Sequence, residues 1–451
     1  MKRPIVYDLS HLTHRLAFEA PVGIDRVDLA FARHFGLAEG KIAATLRYGR
    51  KYPRVLAPSS LADVVRRVER RWRECSPVET DAKYLRIRAW ITGDRDPSAA
   101  VDVDCRNRAR LKGATGVWNS SPAAAAAARF KRWISAATVR RFHAPRAVEG
   151  GERIVPDDAI YLNVAQHALE TAAFFEWLTP RKDVQCVFFL HDLLPLDYPE
   201  FWWPGHQALF SRRIDTMFRH ATALITSSDV VRERACRELE ARGRPPLPIF
   251  SCPLPSPIGA IEASTAYDAE LVEHPYFVII GTIEPRKNHA LLFNVWRRLA
   301  ARGGAVPKLV VVGNRGWENE QALDMLERCA SISAHVREIA GLSNAGVAKL
   351  LANARALLMP SFAEGYGLPL VEALGLGAPV VASEIPVFHE VTQEKAIFRD
   401  PIDGLGWSEA IEALSDLQSP AARAAREAAR TFRAKDSETY FSAVEDFLTT
   451  L

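Results

Sequence analysis

The stretch PSFAEGYGLPLVEALGLGAPVVAS, residues 360–383, decides the fold. It overlaps the apolar run ARALLMPS (354–361), which has the length and composition of a buried strand. Gly365 and Gly367 predict a turn in which backbone can approach a ligand closely, and Pro369 suits the first turn of a helix. Strand, glycine turn and helix start together predict an anion site, because free N–H groups and the helix dipole point at the turn.

Two carboxylates flank this predicted anion site. Glu364 lies at the carboxyl end of the strand, and Glu372 lies about one turn inside the helix. Carboxylates beside an anion site suit a ligand that carries both phosphates and hydroxyls. The spacing alone is weak, because on the order of one such glutamate pair arises by chance in a chain of this length. The alternative is a strand–helix unit with surface glutamates.

Composition limits the class of protein. The chain has 451 residues, 48% of them hydrophobic, and a formal net charge of +4. This length suggests two or three domains, and the modest charge does not indicate nucleic acid as a partner. The six cysteines form no CxxC pair, which favours free thiols in a reducing compartment over a zinc site. The N-terminus is short and polar for a signal peptide, and no apolar run approaches membrane-spanning length, so we expect a cytoplasmic enzyme.

Apolar segments alternate with amphipathic ones through the first half. We predict strands over 3–10, 42–49, 159–167, 187–190, 221–228 and 247–254. A helix over 22–36 opens at the Gly23-Ile24 turn. Arg26, near its start, is either a cation that faces an anion or an ordinary surface arginine.

Residues 50–150 do not follow this rhythm. They are rich in arginine and are punctuated by proline, and we interpret them as an insertion in the first domain. Within them, 121–142 predicts a basic amphipathic helix with an apolar stripe. Such a helix can lie on an anionic membrane, or it can pack on its own domain, and the sequence leaves both interpretations open.

The second half repeats a regular strand–helix alternation. Short strands are predicted over 276–282, 308–314, 336–341, 356–361, 379–383 and 396–400, with helices between them. That alternation predicts a parallel, doubly wound sheet. Residues 255–274 combine proline, serine, glycine and acidic residues, and we interpret them as a linker.

Two further segments carry charge at predicted strand ends. Arg286 and Lys287 end the string GTIEPRKN, where an arginine fork and a compact ammonium suit phosphate; the alternative is two solvated charges. His191 follows the apolar run 187–190. Because ligands gather at the carboxyl ends of strands in open α/β sheets, His191 is well placed for a site, although a histidine satisfied within its loop is the alternative.

Taken together, these strings resemble the retaining glycosyltransferases of the GT-B fold, glycosyltransferase family 4. Glu364, seven residues and Glu372, preceded by Pro-Ser and containing Gly-Tyr-Gly-Leu-Pro, is similar to the family's nucleotide-sugar motif. GTIEPRKN resembles its diphosphate-binding string, and HDLLPL resembles a string of family members, several of which move mannose. The resemblance is close over 276–400 and looser over 3–36 and 184–228.

The resemblance implies the fold and its domains. A GT-B protein has two Rossmann-like, doubly wound parallel-sheet domains that face a cleft. We expect an acceptor-side domain over 1–258 with the insertion near 50–150, and a nucleotide-sugar domain over 268–435. The final helix, 436–451, would cross back onto the first domain.

The resemblance also implies roles for particular residues. The catalytic candidates are His191, Glu364, Lys287 and Arg286. The donor-binding candidates are Gly23, Arg286, Lys287, Glu364, Gly365, Tyr366, Gly367, Leu368 and Glu372. Glu372 would bind the ribose, Glu364 would hold hydroxyls of the donor sugar, and His191 would lie beside the reacting sugar.

Charge stabilisation is expected from side chains and backbone. The two cations and the amides of 365–367 would stabilise the leaving phosphate without a metal or cofactor, and no Asp-x-Asp motif is positioned to bind one. Thr282 stands where some relatives carry an arginine, so Arg286 and Lys287 must carry the phosphate charge. The turn 313–317 resembles a donor-side loop, and 338–341 lies where family members seat the base.

The expected function is that of a retaining, metal-independent hexosyltransferase of surface polysaccharide, such as lipopolysaccharide, or glycolipid assembly. The donor would be a nucleotide sugar, with GDP-mannose suggested only by HDLLP, and the acceptor a glycan or lipid-linked glycan. Membrane contact, through 121–142, would be peripheral and on the inner face. Two alternatives remain: a GT-B-like sugar-nucleotide epimerase or hydrolase, and a non-catalytic GT-B scaffold or sensor.

Overall fold

Two parallel sheets organise the chain. The computed structural model describes residues 3–18, 21–37, 42–46, 54–56, 58–72, 78–93, 155–256 and 266–451. The predicted helix over 121–142 lies outside these residues. Within the described ranges, no helix combines the length and apolar character needed to cross a membrane.

The first sheet has seven strands. They are β1 (Ile5–Asp8), β2 (Ile42–Leu46), β3 (Arg54–Leu56), β4 (Ile160–Asn163), β5 (Gln185–Leu190), β6 (Ala223–Thr226) and β7 (Ile249–Ser251). Their order in the sheet is β3-β2-β1-β4-β5-β6-β7, and all neighbours are parallel except β2 and β3. The order reverses direction between β1 and β4, which opens a crevice at their carboxyl ends.

The second sheet has six parallel strands. They are β8 (Tyr276–Ile280), β9 (Lys308–Val312), β10 (Val336–Ile339), β11 (Leu357–Met359), β12 (Val380–Ser383) and β13 (Ile397–Arg399). The order β10-β9-β8-β11-β12-β13 places the reversal between β8 and β11. The sequence therefore predicted the doubly wound arrangement of this half correctly.

Helices cover the sheets. In the first half they are α1 (Ser10–Arg15), α2 (Gly23–Leu37), α3 (Pro58–Trp72), α4 (Ala82–Thr92), α5 (Leu194–Asp197), α6 (His206–His220) and α7 (Asp229–Ala241). In the second half they are α8 (Ala269–Glu273), α9 (His289–Arg302), α10 (Glu320–Arg328), α11 (Ala330–Ser333), α12 (Asn344–Asn353), α13 (Leu368–Gly375), α14 (Pro386–Thr392), α15 (Gly404–Ser415), α16 (Pro420–Thr431) and α17 (Ser437–Thr449).

The strands are mainly apolar because helices cover both faces of each sheet. In β5, Val187 and Phe189 belong to one buried cluster, whereas Phe188 and Leu190 belong to another. Side chains alternate between the faces of a strand, so a strand covered on both sides has few polar positions. This packing explains why an apolar run, rather than an alternating pattern, marks the strands in the sequence.

The last helix, α17, follows the second domain but packs on the first. Phe441 lies with its ring centroid 5.2 Å from that of Phe31 on α2. Phe447 stacks on Phe250 of β7, also at 5.2 Å. The apolar face of α17 is therefore covered by the N-terminal domain.

The described part of the segment we interpreted as an insertion belongs to the fold. β3 adds an antiparallel strand to the edge of the first sheet, and α3 packs against α2. α4 reaches the other domain, where Arg88 donates to Asp268 at 2.9 Å. Sequence patterns did not reveal this bridging role, because the partner of α4 is distant in the chain.

Asp81 links α4 to the second domain. It accepts hydrogen bonds from the amides of Lys83 and Tyr84, at 3.0 and 3.2 Å, and from the amide of Ser343 at 2.7 Å. Burial alone would raise the pKa of the Asp81 carboxyl, but these amide hydrogen bonds outweigh it and lower the pKa. The ionised carboxylate therefore stabilises the helix start and the domain contact together.

We expect Asp81→Ala to lower the free energy of unfolding by about 2–3 kcal/mol, because one helix cap and one buried interdomain acceptor are lost. The midpoint of urea unfolding measures this change. Asp63→Ala is the matched control, since Asp63 is an exposed carboxylate on α3 paired with Arg66 and should cost less than about 0.5 kcal/mol. Equal shifts in the two variants would contradict the bridging role of Asp81.

Candidate active site

The crevice of the second sheet brings two predicted motifs together. β8 and β11 are neighbours, so the segments that follow them lie side by side at one edge of the sheet. One segment carries Arg286 and Lys287, and the other carries Glu364 and the glycine turn. Lys287 and Glu364, which are 77 positions apart in the sequence, are therefore in direct contact, because parallel strands end at a common edge of the sheet.

The glycine turn sets the start of α13. Gly367 has φ +113°, a conformation that favours glycine, and it immediately precedes the first residue of the helix. Pro369 occupies the first turn of α13, where its missing N–H costs nothing. Within this first turn the amide of Leu370 donates to the carbonyl of Gly367 at 2.9 Å, and the anion site at the start of α13 stays a prediction.

Glu364 is held between two cations. Its carboxylate lies 2.6 Å from Nη1 of Arg286 and 2.5 Å from Nζ of Lys287, and its side chain is only 8% exposed. Burial would raise the pKa of Glu364, but Arg286 and Lys287 outweigh burial and lower the pKa to about 2. Glu364 therefore carries a full negative charge at neutral pH.

Arg286 forms hydrogen bonds and ion pairs with neighbouring residues of the protein. Its Nη2 donates to Glu284 at 2.7 Å, and its Nη1 donates to the carbonyl of Ala363 at 2.6 Å and contacts Glu364. The guanidinium thus fixes the loop that carries Glu364. Lys287, whose Nζ contacts Glu364, is the more available of the two cations. Gly281, with φ +153°, makes room for its stem, since an added Cβ there would lie 3.2 Å from Cε of Lys287.

Glu372 meets a residue of the other domain. Oε1 of Glu372 accepts from Nη1 of Arg26 at 2.6 Å, and Nη2 of Arg26 donates to Asn344 at 3.3 Å. Glu372 is 1% exposed and Arg26 is 18% exposed. Arg26 thus spans the cleft between the domains, which the interpretation as an ordinary surface arginine did not anticipate.

His191 lies across the cleft on the first domain. Its Nε2 donates to the carbonyl of Val164 at 2.8 Å, which leaves Nδ1 as the acceptor nitrogen of a neutral ring. Burial lowers the pKa of His191 to about 4, although the Val164 carbonyl raises it in part. The ring packs against Phe189 with centroids 4.6 Å apart. His191 is therefore a neutral imidazole at pH 7.

Gly365 lies against the first domain. A Cβ added there would be 2.8 Å from the carbonyl oxygen of His191 and 2.7 Å from Cβ of Asp192. Burial raises the pKa of Asp192, a carboxyl that sequence analysis did not single out. The glycine that we attributed to ligand approach also allows close contact between the two domains.

The remaining donor candidates lie where the two domains meet. The hydroxyl of Tyr366 donates to the carbonyl of Leu254 at 3.1 Å. Leu368 lies opposite Gly23, where an added Cβ would be 3.9 Å from Cδ1 of the leucine. The start of α2 therefore faces the start of α13.

The two loops 313–317 and 338–341, which the resemblance assigned to donor binding, contact other parts of the protein. In the turn 313–317, Arg315 pairs with Glu338, and the indole N–H of Trp317 donates to the carbonyl of Phe201 in the first domain at 2.9 Å. In the segment 338–341, the carbonyl of Ala340 accepts from Nζ of Lys83 on α4 at 2.8 Å. Both loops therefore contact the N-terminal domain.

Sequence analysis missed a histidine cluster at the crevice of the first sheet. His11 and His14 follow β1, and His167 follows β4, with ring centroids of the pairs to His167 at 5.9 and 5.7 Å. His11 pairs with the fully buried Asp25 at 2.8 Å, which also pairs with Arg15 at 2.8 Å. The His-x-x-His spacing directly after the first strand was the available signal.

One histidine of this cluster, His167, is neutral at pH 7. Burial, together with the neighbouring rings of His11 and His14, lowers the pKa of His167 to about 4. A neutral imidazole beside an arginine can bind sugar hydroxyls or an anionic group. Among the described residues, no group of three or more histidine, cysteine or acidic side chains is arranged to hold a metal ion.

Comparison with known proteins agrees with this geometry. Residues 267–432 match the family described as glycosyl transferases group 1. The serotype-specific mannosyltransferase WbdA of Escherichia coli is 31% identical over 46% of this chain and 27% of its own length. The O-antigen chain mannosyltransferase B of Escherichia coli is 34% identical over 30% of this chain and 35% of its own. The chain thus matches about a third or less of these relatives.

Solved structures agree with the fold. The α,α-trehalose 6-phosphate synthase of Burkholderia multivorans superposes with a TM-score of 0.51 at 14% identity, over 66% of this chain and 71% of that one. Anabaena HepE, solved with UDP and glucose, gives 0.50 at 18% identity, over 65% and 78%. With two doubly wound sheets, these likenesses confirm the GT-B fold predicted from the sequence.

The low pKa of His191 predicts how the free energy of unfolding changes at acidic pH. The unfolded histidine has a pKa of 6.5 and the native one about 4, so the unfolded chain binds more protons between these values. Stability is therefore complete above pH 6.5 and falls as the pH drops toward 4. We expect the free energy of unfolding of the wild type to fall by about 1–2 kcal/mol more than that of His191→Gln between pH 7 and 5.

Urea unfolding at several pH values measures this difference. His34→Gln is the control, because His34 is partly exposed and pairs with Glu445 at the surface. Parallel curves for wild type and His191→Gln would show that folding does not lower the pKa of His191, against our account.

Proposed function

Because residues 267–432 form a glycosyl transferases group 1 domain within a GT-B fold, we propose that the protein is a retaining, metal-independent glycosyltransferase. It transfers a sugar from a nucleoside-diphosphate sugar to a glycan or lipid-linked acceptor. The observation that carries this proposal is the contact of Lys287 with Glu364 beside the start of α13, with His191 on the facing domain.

The chemistry needs stabilised charge at the leaving group. As the sugar departs, negative charge develops on the distal phosphate and positive charge at the anomeric carbon. Lys287 and the first amides of α13 stabilise the phosphate, and their positions are fixed before reaction by the buried Glu364 and Arg286. Such preorganised cations act without solvent reorganisation, which makes them effective in a water-poor cleft.

Glu364 and His191 would hold the donor sugar from opposite sides. A carboxylate oxygen has several lone-pair positions, so Glu364 can accept from sugar hydroxyls while it keeps its cations. The neutral His191 offers an acceptor nitrogen to a further hydroxyl. In a retaining reaction of this kind the acceptor attacks the face from which the phosphate leaves, and the phosphate takes the acceptor's proton.

GDP-mannose is our choice of donor. Two observations support it: the HDLLPL string that contains His191, and the likeness to mannosyltransferases of O-antigen synthesis. The same likeness supports a role in surface polysaccharide assembly, which we propose takes place in the cytoplasm with peripheral contact at the inner face of the membrane. The histidine cluster of the first domain is the acceptor side in this account.

Lys287→Ala is expected to lower the turnover number for mannosyl transfer about 100- to 1,000-fold, because a cation that stabilises the leaving phosphate is lost. The assay follows transfer of radiolabelled mannose from GDP-mannose to lipid-linked glycan in the presence of EDTA. Lys182→Ala is the matched control, since Lys182 is exposed and lies before β5, away from the crevice. Retention of a third or more of the wild-type rate in Lys287→Ala would contradict the proposal.

Product analysis without acceptor separates the alternative activities. The proposed transferase should release little free mannose and no epimerised nucleotide sugar until acceptor is added. Rapid acceptor-independent conversion of the donor would instead favour a hydrolase or epimerase.

A further inference from the structure

Arg26 is a second candidate for recognition of the donor diphosphate. It lies in the first turn of α2, and its guanidinium spans the cleft to Glu372 on α13 and Asn344 on α12. Of the cations considered so far, Arg286 is held by Glu284, Ala363 and Glu364. Of this pair, Lys287 is then the cation that remains to face a ligand with two phosphates. One positive charge balances only part of the negative charge of a diphosphate.

The position of Arg26 fits a phosphate contact. The start of α2 faces the start of α13, because a Cβ on Gly23 would lie 3.9 Å from Leu368. A diphosphate bound at the start of α13 would therefore lie close to Arg26 as well. The planar fork of an arginine matches two phosphate oxygens at once, whereas a lysine acts as a compact point charge.

The partner of Arg26 is itself assigned to the donor. Glu372 is the carboxylate proposed to bind the ribose, and its Oε1 is occupied by Arg26 at 2.6 Å. A ribose hydroxyl that bonds this oxygen can share it with the guanidinium, or take the place that the guanidinium leaves when it turns to the diphosphate. Arg26 is 18% exposed, so it has room to turn, whereas Glu372, at 1%, is fixed in place.

We infer that Arg26 is the second phosphate-binding cation and that donor binding exchanges its partner. Glu372 passes from the guanidinium to the ribose, and the guanidinium passes from Glu372 to the diphosphate. Each charge keeps a partner through the exchange, because the guanidinium gains phosphate oxygens and the carboxylate gains a ribose hydroxyl. The inference rests on the proposed function. Arg26 supplies the positive charge that the neutral Thr282 does not.

The test compares GDP with GMP, which differ by the distal phosphate alone. Calorimetric titration gives the dissociation constants for the wild type, Arg26→Gln and Arg26→Lys. We expect Arg26→Gln to weaken GDP binding about 10- to 100-fold, the usual range for a charged hydrogen bond. GMP binding should change by less than about threefold, because removal of the guanidinium also frees Glu372 for the ribose.

Two further variants keep the result interpretable. Arg33→Gln, on the same helix and paired with Glu69 at 2.6 Å, should leave both dissociation constants unchanged. Arg26→Lys keeps the charge without the fork, so its GDP affinity should lie between wild type and Arg26→Gln. If Arg26→Gln does not fold, the Arg26→Lys ratio of GDP to GMP affinity carries the test.

Three outcomes would overturn the inference. Equal weakening of GDP and GMP binding would show that Arg26 only stabilises the interface between the domains. No change in either constant would exclude it from nucleotide binding. A wild type that binds neither GDP nor UDP would defeat the proposed function as well, which distinguishes the two failures.

Discussion

The carboxylate of Glu364, buried between Arg286 and Lys287, is the interaction on which the site depends. Two loops from neighbouring strands meet there, and each brings charges that would be unfavourable to bury alone. Both Nη atoms of Arg286 bind Glu284 and the Ala363–Glu364 loop, so this arginine holds the geometry of the loop. Lys287 completes the pair and faces the cleft. Removal of Glu364 would leave two buried cations without their partner, which costs about 3–5 kcal/mol in comparable buried pairs.

Contacts across the cleft join the two domains around this centre. Arg26 reaches Glu372, Asp81 reaches Ser343, and Glu390 accepts from the first amides of α7 at 2.7 and 3.1 Å. The Asp81–Ser343 contact is buried, whereas the contacts of Arg26 and Glu390 are partly exposed and can break and re-form more readily than a buried apolar interface. Donor binding and domain contact therefore share the same side chains, which is why an exchange at Arg26 would couple them.

The sequence predicted the strands, the glycine turn and the β8–β11 loops well, because each depends on local periodicity or on residues close in the chain. It did not predict contacts such as Arg26–Glu372, 346 positions apart, or Asp81–Ser343, 262 positions apart. No local pattern specifies which charges meet when two domains face each other. For the same reason it assigned Gly365 to ligand approach alone, and it missed the pairing of Asp25 with His11.

The most direct measurement is thermal stabilisation of the purified protein by GDP-, UDP-, dTDP- and ADP-sugars in the presence of EDTA. A ligand that binds only the folded state raises its stability in proportion to ln(1 + [L]/Kd), about 2.7 kcal/mol at a hundredfold excess over Kd. The account predicts a clear shift with one nucleotide class, GDP-sugars, that is lost in Lys287→Ala. Absence of a shift with all four classes, in protein shown to be folded, would contradict the assignment of this crevice as a nucleotide-sugar site.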